Sequence, residues 1–192
     1  MNSLLDILGA TIIGGLIYLL LFQVNARIST NASDILVSTF SSRNAVDAGT
    51  LLEFDMSKIG YRVSNNVITI AQQRKIEFWS DLFDNDSTVK VCYFLGNTNQ
   101  LTGTTNPNDR PLYRYVTGSD TLLVSVVRDF TITYYDSAQN VINYASLTTQ
   151  TGRNNIRGTK LYCRIESTDP SEGEYPFIEF KRTIFPKNLG RK

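Results

Sequence analysis

The hydrophobic pattern at the start of the chain is a long uncharged run. Residues 7–22 read ILGATIIGGLIYLLLF, sixteen positions without a charge, and Leu4, Leu5 and Val24 extend the apolar character. This approaches the roughly 20 residues that a helix needs to cross a bilayer. Apolar side chains cover every face, which is not typical of a core helix in a globular domain. The pattern predicts a helix that lies in a membrane or in the core of a helical assembly.

Beyond Gln23 the pattern becomes amphipathic. Residues 23–59 contain no Pro and a single Gly, Gly49, so no strong helix breaker interrupts them. Apolar residues recur near the helical period at Val24, Ile28, Ile35, Phe40, Val46, Leu51, Leu52, Met56 and Ile59. Gly60 then fits a helix C-cap. We expect one helix over about residues 3–59, with its second half packed on the domain that follows.

After Gly60, short strand patterns alternate with turn-forming residues. The pattern predicts strands over residues 67–71, 75–79, 89–95, 112–116, 130–135, 141–147, 161–167 and 177–184. Residues 121–127 fit either a strand or a short helix. Short connections, and the lack of long helical crossovers between neighbouring strands, favour antiparallel pairing. The predicted fold is α+β: a long N-terminal helix, hydrophobic and then amphipathic, packed on an antiparallel β-sheet domain.

These patterns divide the chain into three parts. Residues 1–26 are predicted to form a transmembrane or filament-core helix, residues 27–60 its amphipathic continuation, and residues 61–192 a β-rich globular domain. Within that domain, residues 96–110 are long and polar, and predict a surface loop suited to variable contacts.

Composition removes several functional classes. The 192 residues carry 19 basic and 18 acidic side chains, a formal net charge of +1, which argues against a nucleic-acid partner. There is no His and there are only two Cys, so the commonest general base and the usual zinc sites are missing. Carboxylates such as Glu77, Asp81 and Glu166 have no nucleophile or base at an informative spacing. The chain is therefore predicted not to be an enzyme and to need no cofactor.

Two local features leave alternatives open. Cys92 and Cys163 lie in separate strand patterns, where they are either two buried thiols or a disulfide. Asp81, Asp84 and Asp86 offer oxygen ligands for calcium, but their spacing does not match an EF-hand loop. A solvated turn is the alternative reading of these three carboxylates.

The membrane topology has one rival interpretation. Val24-Asn25-Ala26 offers small residues for a signal peptidase, but residues 1–6 contain Asp6 and no Lys or Arg, unlike a signal peptide. Arg27 is the only basic residue near either end of the apolar run, so the positive-inside rule has little to count. A cytoplasmic N-terminus is inferred from the domain that follows.

Several segments together resemble the type IV pilin superfamily. They are LEFDMSKIGYR at 52–62, KIEFWSDLFDND at 75–86, VCYFL at 91–95, FTITYYD at 130–136 and residues 182–189. Their order and spacing resemble the minor pseudopilin J of type II secretion and the minor pilin W of type IV pili. The resemblance implies a subunit held by a single span in the bacterial inner membrane, with a periplasmic or extracellular domain. It also implies assembly with copies of itself or sister subunits into an extracellular filament, either a type IV pilus or a pseudopilus.

The resemblance also assigns residues to assembly. Packing would involve Ile7, Ile12, Ile13, Leu16 and Leu20, and Asp6 would take the place of the Glu that prepilins carry at the fifth mature position. The chain departs from prepilins in opening without a basic leader, a cleavage Gly or an N-terminal aromatic residue.

Two alternatives accompany this interpretation. Asp6 either neutralises the amino terminus of a neighbouring subunit or is an interfacial acid that favours the start of the helix. The alternative function is a membrane-tethered adhesin whose sheet and 96–110 loop bind a ligand.

Overall fold

The computed structural model describes residues 2–168, 170 and 173–190. Its first element, α1, is one helix over Asn2–Ser57. The chain forms two compact units, residues 1–40 and 41–192, and α1 contributes to both. The expected long N-terminal apolar helix is confirmed. It ends two residues before Ile59, and Gly60 follows with a φ of 76°, a conformation that favours glycine.

The second unit contains two antiparallel sheets. The first has the strand order β1-β2-β3-β4-β5 and the second has the order β6-β7-β8. The strands are β1 (Ile68–Ala71), β2 (Lys75–Ser80), β3 (Val89–Leu95), β4 (Arg110–Val116), β5 (Leu122–Val127), β6 (Asp129–Tyr135), β7 (Gly158–Glu166) and β8 (Phe177–Ile184). The α+β fold class and the antiparallel pairing are therefore confirmed.

Alternating burial explains why these segments form half-buried strands. In β2, Ile76, Phe78 and Ser80 are buried while the residues between them are partly exposed. β6 shows the same period of two, with Phe130 and Ile132 buried. Side chains of a strand point alternately to opposite faces, so one face of each sheet contributes to the core.

The strand predicted over residues 141–147 is wrong. Only Val141 forms a β-bridge, to Tyr135, and Tyr144–Thr148 is a 3-10 helix instead. The Asn143 side chain accepts a hydrogen bond from the Ala145 backbone N–H and so caps this turn.

The remaining elements are short. The ambiguous 121–127 segment forms strand β5, and α2 is the short helix Gln150–Arg153. Two further 3-10 turns are Thr98–Gln100 and Lys187–Leu189.

The part of α1 within the second unit packs against the sheets through small as well as large residues. Leu52 and Met56 are fully buried with Ala45 in one hydrophobic core that includes residues of both sheets. A Cβ on Gly49 would lie 2.8 Å from the Phe180 ring, so the missing side chain allows the helix to approach β8 closely.

This packing corrects the predicted apolar stripe. Val46 is 66% exposed and Leu51 is only half-buried, whereas Ala45 and Ala48 are buried. The physical reason is the short distance between the helix and β8, where small residues fit and larger ones turn outward.

Candidate functional site

The apolar surface of α1 in the first unit is the largest feature that the chain itself does not cover. Every large hydrophobic side chain described between Leu4 and Leu36 is at least half exposed. By length and composition, Ser3–Ala32 can cross a membrane, and none of its apolar window is buried by the chain. Water is a poor environment for such a surface, so either lipid or protein must cover it.

The predicted assembly residues lie on this surface. Ile7, Ile12, Ile13, Leu16 and Leu20 are exposed by 62%, 56%, 60%, 57% and 61%. At about 100° per residue, the last four share one face of α1 and Ile7 lies on the opposite face. A neighbouring helix would therefore contact at most four of them at once.

Asp6 is the fifth residue of α1 and follows its first turn. The described helix begins at Asn2, so Asp6 is not an N-cap, and the favourable field of a helix N-terminus falls off within that first turn. Its side chain is exposed, on the same side of α1 as Ile13 and Leu20.

Three glycines add flat areas to the same helix. A Cβ at Gly9, Gly14 or Gly15 would meet nothing within 4 Å. Ala10 and Gly14 form a small-xxx-small pair, a spacing that lets two apolar helices approach closely in lipid. The spacing of these small residues is visible in the sequence of the uncharged run.

A second feature, missed by the sequence patterns, is a buried ionic cluster at the end of α1. Asp55 has no exposed surface and accepts hydrogen bonds from Arg114 Nε at 2.6 Å and from Tyr93 Oη at 2.7 Å. Arg114 Nη2 lies 3.3 Å from the other carboxylate oxygen. A charge this deep is tolerated because each of its oxygens has a charged or hydroxyl donor.

The cluster shifts the pKa values of Tyr93 and Arg114 in the directions that their contacts predict. Burial and then the Asp55 charge raise the pKa of Tyr93, so the phenol remains a donor. Burial opposes the charged form of Arg114, but the carboxylate of Asp55 outweighs it and raises the pKa of the guanidinium. Asp55, Tyr93 and Arg114 therefore tie α1 to β3 and β4 as a fixed structural contact.

The calcium candidates are held by basic side chains. Asp81 and Asp86 accept from Arg62 Nη1 at 2.8 and 2.6 Å, and Asp84 accepts from Lys58 Nζ at 2.9 Å. Asp81 also caps the backbone N–H groups of residues 85 and 86. No group of three metal-ligating side chains exists within the described residues. The three carboxylates thus organise the turn after β2 through cations of the chain itself.

Cys92 and Cys163 are free, buried thiols in the structure, so the alternative of a disulfide between them is not present. They lie on β3 and β7, strands of different sheets. Burial raises the pKa of Cys163 to about 12 and also raises the pKa of Cys92. Thiols with raised pKa values contain little thiolate and react slowly.

The second half of the 96–110 loop is anchored rather than free. Asn106 is buried, and its side-chain amide donates to Glu166 Oε2 and to the Ser167 carbonyl, both at 3.2 Å. Arg128 and Arg164 also donate to Glu166 Oε1, at 2.6 and 3.1 Å. Burial alone would raise the pKa of Glu166, but the donors outweigh it and hold that pKa below its usual value. Residues 105, 107 and 108 remain exposed, so the loop lies at the surface, with Asn106 as a buried anchor within it.

Asp109, at the end of this loop, has an unfavourable environment. It is 1% exposed, and within the described residues neither carboxylate oxygen accepts a hydrogen bond of ordinary geometry. Burial raises the pKa of Asp109 to about 6; the Thr104 hydroxyl opposes this rise and the charge of Glu166 adds to it.

Replacing Asp109 with Asn is expected to remove a pH-dependent loss of stability. The folded protein binds more protons at Asp109 than the unfolded chain between about pH 4 and pH 6, so stability falls as pH rises through this window. Allowing for solvent screening, Asp109→Asn should stabilise the domain at neutral pH by about 1–2 kcal/mol. Urea unfolding, followed by the fluorescence of the single Trp79, measures the difference.

The pH slope of the parent alone is not decisive, because Asp81, Asp84 and Glu166 have lowered pKa values and act in the opposite direction below this window. The difference between parent and Asp109→Asn isolates the single group. Equal stability differences at about pH 4 and pH 7 would contradict the assignment.

Comparison with known proteins finds no family model, no curated protein and no solved structure that matches this chain. Its function must therefore be inferred from its own residues. Two features are available for that inference: the exposed apolar surface of α1 in the first unit, and a second unit whose core is complete without it.

Proposed function

We propose that this chain is a pilin-like structural subunit that assembles through α1 into a filament, either a type IV pilus or a type II secretion pseudopilus. The observation that carries the proposal is the uncharged surface of α1 over residues 7–26, exposed on all sides. The second unit has its own core of buried residues and does not need this surface for its stability. The surface must therefore serve a contact outside the chain.

A membrane covers this surface before assembly, which makes the chain a single-pass protein of the inner membrane with a periplasmic or extracellular domain. Leaving the membrane then requires a protein surface that is as apolar as lipid. Other copies of α1, or the helices of sister subunits, are such a surface. Close packing at the small pair Ala10 and Gly14 favours helix association where lipid offers no hydrophobic driving force.

The continuity of α1 favours a filament subunit over a tethered adhesin. An adhesin needs only an anchor and tolerates a flexible linker between anchor and domain. Here α1 is one helix through Ser57, and its last turns are part of the core of the second unit. The described helix therefore contains no break of the kind that a tethered adhesin tolerates.

Replacing Asp6 with Ala is expected to reduce the yield of filaments at least about tenfold while membrane insertion and folding are unchanged. An acid in an apolar bundle strongly favours an arrangement that gives it a partner, and Ala removes that preference. Filaments sheared from cells and imaged by electron microscopy give the yield. Membrane fractionation and Trp79 fluorescence report insertion and folding. Asp47→Ala, which removes another exposed acid of α1 in the second unit, is the matched control.

Removing residues 1–26 provides the second arm of this experiment. Without the apolar surface the remaining chain should be a soluble monomer in sedimentation velocity, since its near-neutral charge supplies no long-range attraction. A truncated chain that still polymerises would show that assembly does not depend on α1. In that case the filament proposal fails, whatever the Asp6 variant does.

A further inference from the structure

Strand β8 lies at an edge of the second sheet. It pairs with β7 over its whole length, in a continuous antiparallel register from Thr159 opposite Ile184 to Glu166 opposite Phe177. Within the described residues no strand pairs with its other side, because the sheet has the order β6-β7-β8. An open edge of this length is a template for a further strand.

The backbone groups of β8 divide into two sets. The Ser167 N–H donates to the Pro176 carbonyl at 2.8 Å, which continues the β7–β8 register and shows that residue 176 faces β7. Opposed residues of an antiparallel pair exchange hydrogen bonds at every second position, so residues 178, 180, 182 and 184 also face β7. Within the described part of the chain, the groups on the other side take part in no backbone hydrogen bond. The N–H and C=O groups directed to this open edge are those of Phe177, Glu179, Lys181 and Thr183.

A groove between α1 and β8, here called the β8 groove, lies beside this edge. Its apolar surface comes from Ala45, Val46, Gly49, Ile178 and Phe180. Val46 is 66% exposed, so the groove opens to solvent. The even-numbered side chains of β8 point towards α1, as the closeness of the Phe180 ring to Gly49 shows. Every second side chain of a strand added beside β8 would therefore point into the groove.

The opposite face of β8 carries one acid and one base. Glu179 and Lys181 are both exposed there, and Lys181 Nζ lies 2.6 Å from Glu179 Oε2. An exposed pair of this kind contributes little to stability, so its partners are available to other charges. Side chains directly opposite each other on antiparallel strands interact, and opposite charges favour pairing. A strand with an acid opposite Lys181 and a base opposite Glu179 is therefore selected over other strands.

We propose that the open edge of β8 and the β8 groove bind an extended segment of a different protein, which adds to the sheet as an antiparallel strand. The backbone of that segment pairs with the outward groups of Glu179 and Lys181. Its alternate apolar side chains fill the groove, and between them an acid lies opposite Lys181 and a base opposite Glu179. This inference concerns the second unit only and does not depend on assembly through α1.

The β8 strand of a second copy does not suit this role in a membrane or a filament. In the second unit α1 runs along β8, since Gly49 lies beside Phe180 and Glu53 pairs with Arg182 one helical turn further on. Two β8 edges pair antiparallel about a two-fold axis, which reverses α1 of one copy relative to the other. Copies that share one membrane or one filament have a common orientation, so the partner strand comes from a different chain.

Two peptides of equal composition test the charge rule. The detergent-solubilised full-length chain is titrated into fluorescently labelled TVEVKVT, and binding is measured by anisotropy. In the antiparallel register this peptide places its Glu opposite Lys181 and its Lys opposite Glu179. The isomer TVKVEVT places like charges together at both positions and should bind at least about fivefold more weakly.

Exchange of the two charges in the chain should reverse this preference. The double variant Glu179→Lys with Lys181→Glu should bind TVKVEVT at least about fivefold more tightly than TVEVKVT. Both side chains are exposed, and Trp79 fluorescence checks that the domain remains folded. Such a reversal occurs only if these charges lie opposite the peptide, so it excludes adsorption to an apolar surface.

Two further variants test the edge and the groove separately. Thr183→Pro removes one outward N–H and leaves the hydrogen bonds to β7 in place, because Pro is tolerated on the open side of an edge strand. Val46→Asp places a charge in the β8 groove. Each should weaken the binding of TVEVKVT at least about fivefold. Asp47→Ala changes an exposed residue of α1 outside the groove and should bind as the parent does.

Four results would overturn the proposal. If the parent binds neither peptide at millimolar concentration, no strand adds to this edge. Equal binding of both peptides, or a preference of the parent for TVKVEVT, shows that Glu179 and Lys181 do not select an antiparallel strand. Binding that persists in Thr183→Pro places the peptide elsewhere. Self-association of the parent that Thr183→Pro abolishes identifies a second copy, and not a different protein, as the occupant.

Discussion

Replacing Asp55 with Ala is expected to destabilise the second unit by about 3–5 kcal/mol, because it leaves a buried guanidinium and a buried phenol without their acceptor. Arg114 is 16% exposed in its side chain and Tyr93 is fully buried, so water cannot replace the lost carboxylate well. For a domain of this size, such a loss lowers the melting temperature by roughly 10 °C. Thermal unfolding of the detergent-solubilised chain, followed through Trp79, measures it.

Two companion variants separate the ion pair from simple loss of packing. Tyr93→Phe removes one hydrogen bond and keeps the ring, and should cost about 1 kcal/mol. A triple variant with Asp55→Leu, Tyr93→Phe and Arg114→Leu should regain much of the stability lost in Asp55→Ala, since an apolar cluster carries no uncompensated charge. If Asp55→Ala melts within 2 °C of the parent, the Asp55 carboxylate does not stabilise the second unit through Arg114 and Tyr93.

Replacing Met56 with Asp is expected to unfold the second unit outright. Met56 is fully buried within the hydrophobic core, where an unpaired carboxylate has neither water nor a donor, and the cost of roughly 5 kcal/mol or more is comparable to the whole stability of such a domain. Circular dichroism and Trp79 fluorescence of the purified chain should show loss of the folded domain.

Val46→Asp is the matched control on the same helix. Val46 is 66% exposed, so the new charge stays hydrated and stability should change by less than about 0.5 kcal/mol. Leu51→Asp, at a half-buried position, should fall between the two. If the Val46→Asp protein unfolds as Met56→Asp does, then Val46 is buried, as the apolar stripe of the sequence predicts, and the exposure of Val46 in the structure is wrong.

The apolar helix and the strand pattern could be predicted from the sequence because both depend on local regularities. An uncharged run of sixteen residues leaves a helix in an apolar environment as the most favourable state for its backbone. Alternation with a period of two marks half-buried strands, and the predicted strands β3 and β8 have the same bounds in the structure. The charges at Asp6 and Arg27, and the distance between them, are likewise visible in the sequence.

The tertiary structure alone decided which side chains of α1 are buried. As a charged residue, Asp55 would be expected on the exposed face of an amphipathic helix. It is buried because Arg114 and Tyr93, 59 and 38 residues away in sequence, donate hydrogen bonds to its carboxylate. Ala45 is inside and Val46 outside because Gly49 lets β8 approach the helix closely, a distance that no local pattern encodes. Residues 141–147 alternate like a strand, yet the Asn143 cap and the hydrogen bond from Tyr144 Oη to the Ile132 carbonyl stabilise a turn. In each case a contact with a residue distant in sequence, or one side-chain hydrogen bond, contributes more free energy than the local secondary-structure preference that it opposes.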